Sequence, residues 1–277
     1  MKVLRSVAEV REHLRAKSGS LAIVPTMGAL HDGHVALFRA ARRACSQVVA
    51  SIFVNPGQFN DPADLAAYPR QETRDAALAR GAGVDAIFVP TVEEMYPSGD
   101  ATSLVVQGAA LGFEGVFRPG HFNSVATVCF KLFNIVEPDV AFFGQKDAQQ
   151  VAVIRQMVRD LRLDLKISVV PTVREADGLA LSSRNVRLSA ADRLRALAIP
   201  RALAAGLTAH VAGADPAAAA RDELEGLEVD YVDVAVFAGE PTLVIAARAG
   251  ATRLIDNVPL NHPERAGLPA PVRRSSL

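Results

Sequence analysis

Five unbroken apolar runs limit the folds open to this chain more than any other feature. They are LAIVP from Leu21, VVASIFVN from Val48, AIFVP from Ala86, VAFFG from Val140 and KISVVPT from Lys166. A strand with one wet face alternates polar and apolar residues, whereas a strand that is apolar throughout must be covered on both sides. Helix-period stretches separate the runs, so the pattern predicts an α/β fold with a parallel sheet and crossover helices. Half of the 277 residues are apolar, enough for a large core divided between two domains. Ligands of such sheets bind beyond the carboxyl ends of the strands, and the loops after the runs are where chemistry is expected.

From Val173 the texture changes. The loop READGLALSSRN leads to Ser189, where SAAD has the form of a capping box opening an Ala/Leu helix that reaches Leu207. Beyond it, VDYVDVAVF and LVIAAR alternate like half-exposed strands, which predicts a smaller α+β unit with an antiparallel sheet. The expected division is a sheet domain over 1–172, a second domain over 173–261, and a flexible Pro- and Arg-containing tail over 262–277. At the start, MKVLRSVAEVREHLRAK predicts a surface helix that packs Val3, Val7, Val10 and Leu14. Glu9 and Glu12 argue against reading it as a transit peptide.

Charge and thiols narrow the partners. Thirty basic and thirty acidic residues cancel, so the broad positive field of a nucleic-acid binder is missing and a small-molecule partner is favoured. No apolar run is long enough to cross a bilayer. Cys45 and Cys129 lie in apolar stretches and read as buried, reduced thiols, which suits a cytoplasmic protein. No CxxC pair, metal-ligand cluster or GxGxxG follows the first strand, which disfavours a structural metal and a redox dinucleotide.

Four loops carry the candidate chemistry. PTMGALHDGH puts His31 and His34 three residues apart where a strand turns into a helix. The positive helix end, its N–H groups and two imidazoles suit a phosphate chain, and Gly28 and Gly33 allow close backbone approach. A capping turn with incidental histidines is the other reading. FVNPGQFN offers Asn55 and Gln58, amides suited to a polyol or carboxylate, although Asn-Pro is also an ordinary turn. GQKDAQQ offers Lys146 as a phosphate cation, Asp147 as an acceptor or indirect metal partner, and Gln150 one turn on. DGLALSSRN supplies Ser182, Ser183 and Arg184, suited to gripping a polyphosphate, with Gly178 helping the loop close. The lone His121 reads as a capping or packing residue.

In this order, PTMGALHDGH, FVNPGQF, YPR, RPGHF, KLFN, GQKDAQQ, DGLALSSRN and RLIDN resemble the pantothenate synthetase (pantoate–β-alanine ligase) family over nearly the whole chain. The HxGH element alone is shared with a wider class of nucleotidyl-transferring enzymes. The resemblance implies a Rossmann-like ATP domain with a smaller C-terminal lid domain, Mg²⁺ dependence with the ion carried on ATP rather than by a protein metal site, and a homodimer. It places ATP against Met27, Gly28, Ala29, Leu30, His31, Asp32, Gly33, His34, Gly144, Gln145, Lys146, Asp147, Val173, Leu181, Ser182, Ser183 and Arg184. Pantoate falls to Gln58 and Gln150, β-alanine lies near Gln58, and His34 is the proton donor. The implied reaction is pantoate activation as an acyl adenylate, with His31, His34, Lys146, Ser182, Ser183 and Arg184 stabilising phosphate charge. Three positions depart from the family pattern: Gly57 for Met, Gln145 for Glu and Ser124 for Gly. Another acceptor at the HxGH site, and a nucleotide sensor without turnover, are the rival readings.

Overall fold

The computed structural model describes residues 1–15 and 18–268. The chain divides into two compact units, Met1–Phe143 with Gln149–Val170, and Gly144–Ala148 with Pro171 onward.

In the first unit six strands form one sheet: β1 (Lys2–Leu4), β2 (Leu21–Thr26), β3 (Gln47–Ile52), β4 (Ala86–Phe88), β5 (Val140–Gly144) and β6 (Lys166–Val170). Their order is β1-β4-β3-β2-β5-β6, and β1/β4, β4/β3, β3/β2 and β2/β5 all run parallel. Consecutive strand residues point to opposite faces, and both faces are dry. Leu21, Ile23 and Val49 join one apolar cluster with the helix His121–Val136, while Ala22, Val24, Val48 and Ala50 join another with the helix Asp32–Ala44. This two-sided burial is why the runs are continuous. The edge strand β6 is only half-buried. The chain winds outward from β2 through β3 and β4 on one side and through β5 and β6 on the other, which makes the carboxyl end of β2 a topological switch point.

The amino-terminal expectation needs correcting. Lys2–Leu4 is a strand paired with β4, not helix, and Val3 is 42% exposed. The helix is Val7–Leu14, opened by a capping box between Ser6 and Glu9, with Val10 and Leu14 buried.

In the second unit β7 (Glu228–Phe237), β8 (Glu240–Ala249) and β9 (Thr252–Pro259) form an antiparallel sheet. As the middle strand, β8 is buried from Thr242 to Ala247 rather than half-exposed. The Ala/Leu stretch is capped by Ser189 on the N–H of Asp192, but it forms two helices, Ala190–Ala196 and Ala198–Val211, joined at Leu197. Gly144–Ala148 belongs here because Asn257 of β9 grips its turn: Asn257 Nδ2 donates to the carbonyls of Gln145 (3.0 Å) and Lys146 (2.8 Å). The described part of the expected tail, 262–268, is built in. Pro263–Ala266 is a 3₁₀ turn with Ala266 buried, and the Thr172 N–H donates to the Arg265 carbonyl. Residues 269–277 of that tail lie outside the described residues.

Candidate active site

The loop after β2 is held from below. Thr26 ties β2 to β3 by donating its hydroxyl to the Ser51 carbonyl at 2.6 Å, and it accepts the Gly28 N–H at 3.2 Å. Gly28 and Ala29 then adopt positive φ, +81° and +50°. A side chain at Gly28 would also press on Asp75 and Ile52. Asp75, 1% exposed on the helix Glu72–Gly81, accepts the N–H groups of Ala29 and Leu30, both at 2.9 Å, and Leu30 is buried beneath the loop.

These bonds place His31 at the N-cap of Asp32–Ala44. Its Nδ1 accepts the Gly33 N–H at 3.2 Å, and His34 Nδ1 accepts the His31 N–H at 3.3 Å. The two histidines thus form a reciprocal capping box, with ring centroids 4.2 Å apart. The capping turn is thus observed, and with Nδ1 as acceptor a neutral ring carries its hydrogen on Nε2. The expected backbone contribution changes, however. The N–H groups of Gly28, Ala29, Leu30, His31 and Gly33 are all taken within the protein. What remains of the expected backbone contribution is the positive helix end.

After β3, Asn55 and Gln58 are both buried. Asn55 is only 1% exposed, and its amide bonds Gln58, the Ser124 carbonyl and the Tyr96 hydroxyl. Both of its N–H donors thus have protein partners, and Asn55 supports Gln58. The Gln58 carbonyl accepts Arg118 Nη2 and His121 Nδ1, each at 3.1 Å, which gives His121 its place as a brace. Of the paired glutamines in GQKDAQQ, Gln149 pins the segment 109–114 through Ala109, Leu111, Gly112 and Glu114. Gln150, half-buried, makes no such bonds among the described residues.

In the second unit Lys146 lies 3.4 Å from Asp147, whose side chain is 45% exposed. The loop from Val173 folds back as a short hairpin. Glu175 and Leu179 pair through the backbone, Leu181 N–H reaches the Val173 carbonyl at 3.0 Å, and Gly178 turns at φ +93°. Ser182 caps the turn Ser183–Arg187 by accepting the Arg184 N–H, and buried Asn185 binds Glu175 and the Ala180 carbonyl. Among the described residues no three His, Cys, Asp or Glu side chains gather to hold a metal, and no helix is long and apolar enough to cross a membrane.

The model of the pantoate-beta-alanine ligase family matches residues 2–259. The chain belongs to that family. It is 49% identical to a pantothenate synthetase of Moorella thermoacetica over 94% of this chain and 99% of the relative. The identity to that of Chloroflexus aurantiacus is 51%, over 93% and 97%. The crystal structure of pantothenate synthetase from Thermus thermophilus superposes with a TM-score of 0.89 at 44% identity, covering 94% and 99% of the two chains. The pantoate-beta-alanine ligase from Francisella tularensis, complexed with beta-gamma ATP and beta-alanine, gives 0.79 at 32% identity over 94% and 98%.

Two of the departures from the pattern of this ligase family face each other. A Cβ at Gly57 would lie 2.9 Å from Ser124 Oγ and 3.3 Å from its Cβ, so the small residue at 57 makes room for the larger one at 124. Gly57→Ala is expected to lower stability by about 1 kcal/mol through overpacking. Ser124→Gly in the same chain should restore it, as urea unfolding of the single and double variants would report.

Gln145 is buried, and its Nε2 donates to Asn257 Oδ1 at 3.0 Å. Its side chain thus helps to hold the turn. A glutamate there would set carboxylate against Oδ1, because Asn257 cannot flip without losing both carbonyl bonds. Burial raises such a carboxyl above its unfolded value of about 4.3, while its protonated form can still donate. Gln145→Glu should therefore match the parent below about pH 4 and lose stability as pH rises, by about 1–3 kcal/mol at neutral pH. Equal urea midpoints at both ends of that range would refute this account.

Asp75 is the main residue that the motifs leave unmarked. Its one signal is a charged residue four before the buried Ala79 on a helix face that packs inward.

Proposed function

We propose that this chain condenses pantoate with β-alanine at the expense of ATP, through a pantoyl adenylate, releasing AMP and pyrophosphate. The observation that carries the reading is the histidine capping box at the switch point of the sheet, which brings two imidazoles to one helix start with ring centroids 4.2 Å apart. In the first unit Met27–His34 line the nucleotide. The family resemblance also implies Gly144–Asp147, Val173 and Leu181–Arg184 for ATP, with Lys146, Ser182, Ser183 and Arg184 for its phosphates.

The pantoate carboxylate, held by Gln58 and Gln150, attacks the α-phosphorus in line. The bond to the β-phosphate oxygen breaks, and pyrophosphate leaves with its charge met by imidazole N–H, ammonium and guanidinium groups. The β-alanine amine, once unprotonated, attacks the acyl carbon near Gln58, and AMP departs with the electron pair of the acyl–oxygen bond. Asn55 supports Gln58 in both steps. Mg²⁺ suits this site as an ion borne by the phosphates, with half-exposed Asp147 as a nearby carboxylate on the same loop as Lys146, since Mg²⁺ keeps most of its waters and takes few protein ligands. When bound it neutralises phosphate charge. The protein acts as a homodimer, a reading supported by exposed Val105, Leu111, Val116 and Phe117 within one segment of the first unit.

The test is AMP and pyrophosphate formation from MgATP, pantoate and β-alanine, each omitted in turn, with the product weighed by mass spectrometry. AMP that requires all three, with a pantothenate mass, is expected. ATP bound by folded protein but left uncleaved would make it a nucleotide sensor.

A further inference from the structure

Gln58 is an amide, able in principle to offer a substrate either its oxygen or its nitrogen. Which one it offers is decided three residues away. The main-chain carbonyl of Ser124 can only accept, and it lies 3.4 Å from the Asn55 amide nitrogen, so the Asn55 side chain is oriented with Nδ2 on that side. Asn55 Oδ1 then faces the Tyr96 hydroxyl at 3.0 Å and accepts its proton. The second hydrogen of Asn55 Nδ2 goes to Gln58 Oε1 at 3.1 Å. That bond fixes the Gln58 amide with its oxygen toward Asn55 and its Nε2 hydrogens on the other side. Among the described residues no other group takes them.

The relay is rigid at both ends. Arg118 and His121 donate to the Gln58 main-chain carbonyl. Tyr96 lies under Lys131, whose Nζ is 4.5 Å from the ring centroid and donates to Asp100 at 2.5 Å and to the Met95 carbonyl at 2.9 Å. Burial, with the Asp100 charge second, pushes the Tyr96 phenol up to about 12, so it remains a protonated donor across the range where enzymes work.

We propose that Tyr96 and the Ser124 carbonyl act through Asn55 to fix which way the Gln58 amide faces, so that its Nε2 hydrogens meet an acceptor oxygen of the anionic hydroxy-acid substrate. The proposal rests on the ligase reading above and deepens it. It makes Tyr96 a positioning residue, and it makes the polarity of the Gln58 contact a selector against substrates that present a donor there.

The experiment measures KM and kcat for pantoate and for ATP in the whole protein and three variants. Gln58→Glu keeps the shape, still accepts from Asn55, and replaces the outward donor by an anionic acceptor. Its pantoate KM should rise by about 100-fold or more, as for loss of a hydrogen bond to a charged group with repulsion added, while its KM for ATP stays within about twofold. At low pH, where the introduced carboxyl regains a proton to donate, part of that loss should return. Tyr96→Phe keeps the ring under Lys131 but removes the hydroxyl, and its pantoate KM should rise about five- to tenfold with kcat nearly unchanged. Combined with Gln58→Ala, the same substitution should add less than about twofold, because the relay then has nothing to orient. A Gln58→Glu protein that binds pantoate as well as the parent, or a Tyr96→Phe effect equal in both backgrounds, overturns the proposal. A parent protein that makes no AMP from pantoate overturns the ligase reading and the proposal with it.

Discussion

His34→Gln should leave the protein folded and remove most of its pantoate-dependent pyrophosphate release. Glutamine at the third helical position can still accept the His31 N–H, as the usual partner in a capping box does, so the helix start survives. What it cannot supply is a ring N–H donor aimed at charge developing on the phosphates. Removing one such donor lowers kcat by about 10²–10³-fold in comparable sites. His31→Asn makes the same point at the N-cap. Asparagine is among the best capping residues and should keep the Gly33 bond, with stability within about 0.5 kcal/mol of the parent. Each alanine variant would confound the two roles, because losing the cap alone costs about 1 kcal/mol. Single-turnover formation of the adenylate, read beside thermal unfolding, separates them. Near-parental turnover in both cap-preserving variants would remove the histidines from the mechanism.

Arg174→Met is expected to be the most destabilising single change in the second unit. The side chains of Arg174 and Asp256 are only 6% and 2% exposed. They pair through two bonds of 2.7 and 3.2 Å. The same guanidinium also donates to the carbonyls of Ala266 and Gly178, so one side chain ties β9, the 3₁₀ turn and the hairpin that precedes Ser182. Removing it strands a buried carboxylate and two carbonyls, and breaking such a pair costs about 3–5 kcal/mol. Arg174→Met with Asp256→Leu should recover most of the loss, since the uncompensated charge goes too. Hydrogen exchange over 172–180 and β9 would localise the effect. A single variant as stable as the parent would show that the pair contributes little. Because Gly178 loses its anchor, the ATP KM of Arg174→Met should rise as well.

Much of this is legible in the residues alone. The parallel sheet follows from runs apolar at every position, because only a strand covered on both faces tolerates that composition. The antiparallel second sheet and the Ser189 cap are legible in the same way, from alternation and local hydrogen-bonding chemistry. Where local reading fails, the cause is shared. Val3 reads as part of a helix because a three-residue strand leaves no period to detect, and its pairing with β4 is set some 84 positions later in register with Ile87. The LVIAAR stretch reads as half-exposed because nothing local marks β8 as the middle strand of its sheet.

The same divide runs through the site. The sequence by itself put His31 and His34 on one helix start, since a spacing of three at a strand-to-helix turn is a short-range rule. Only the tertiary structure decided what those groups can do. Asp75 takes the loop N–H groups from 46 positions away, Tyr96 orients Asn55 from 41, and Asn257 claims Gln145 from 112. Donor and acceptor roles are settled by whichever fixed partner lies within about 3 Å, and for a buried amide or imidazole that partner is chosen by packing between distant segments, which no local pattern encodes.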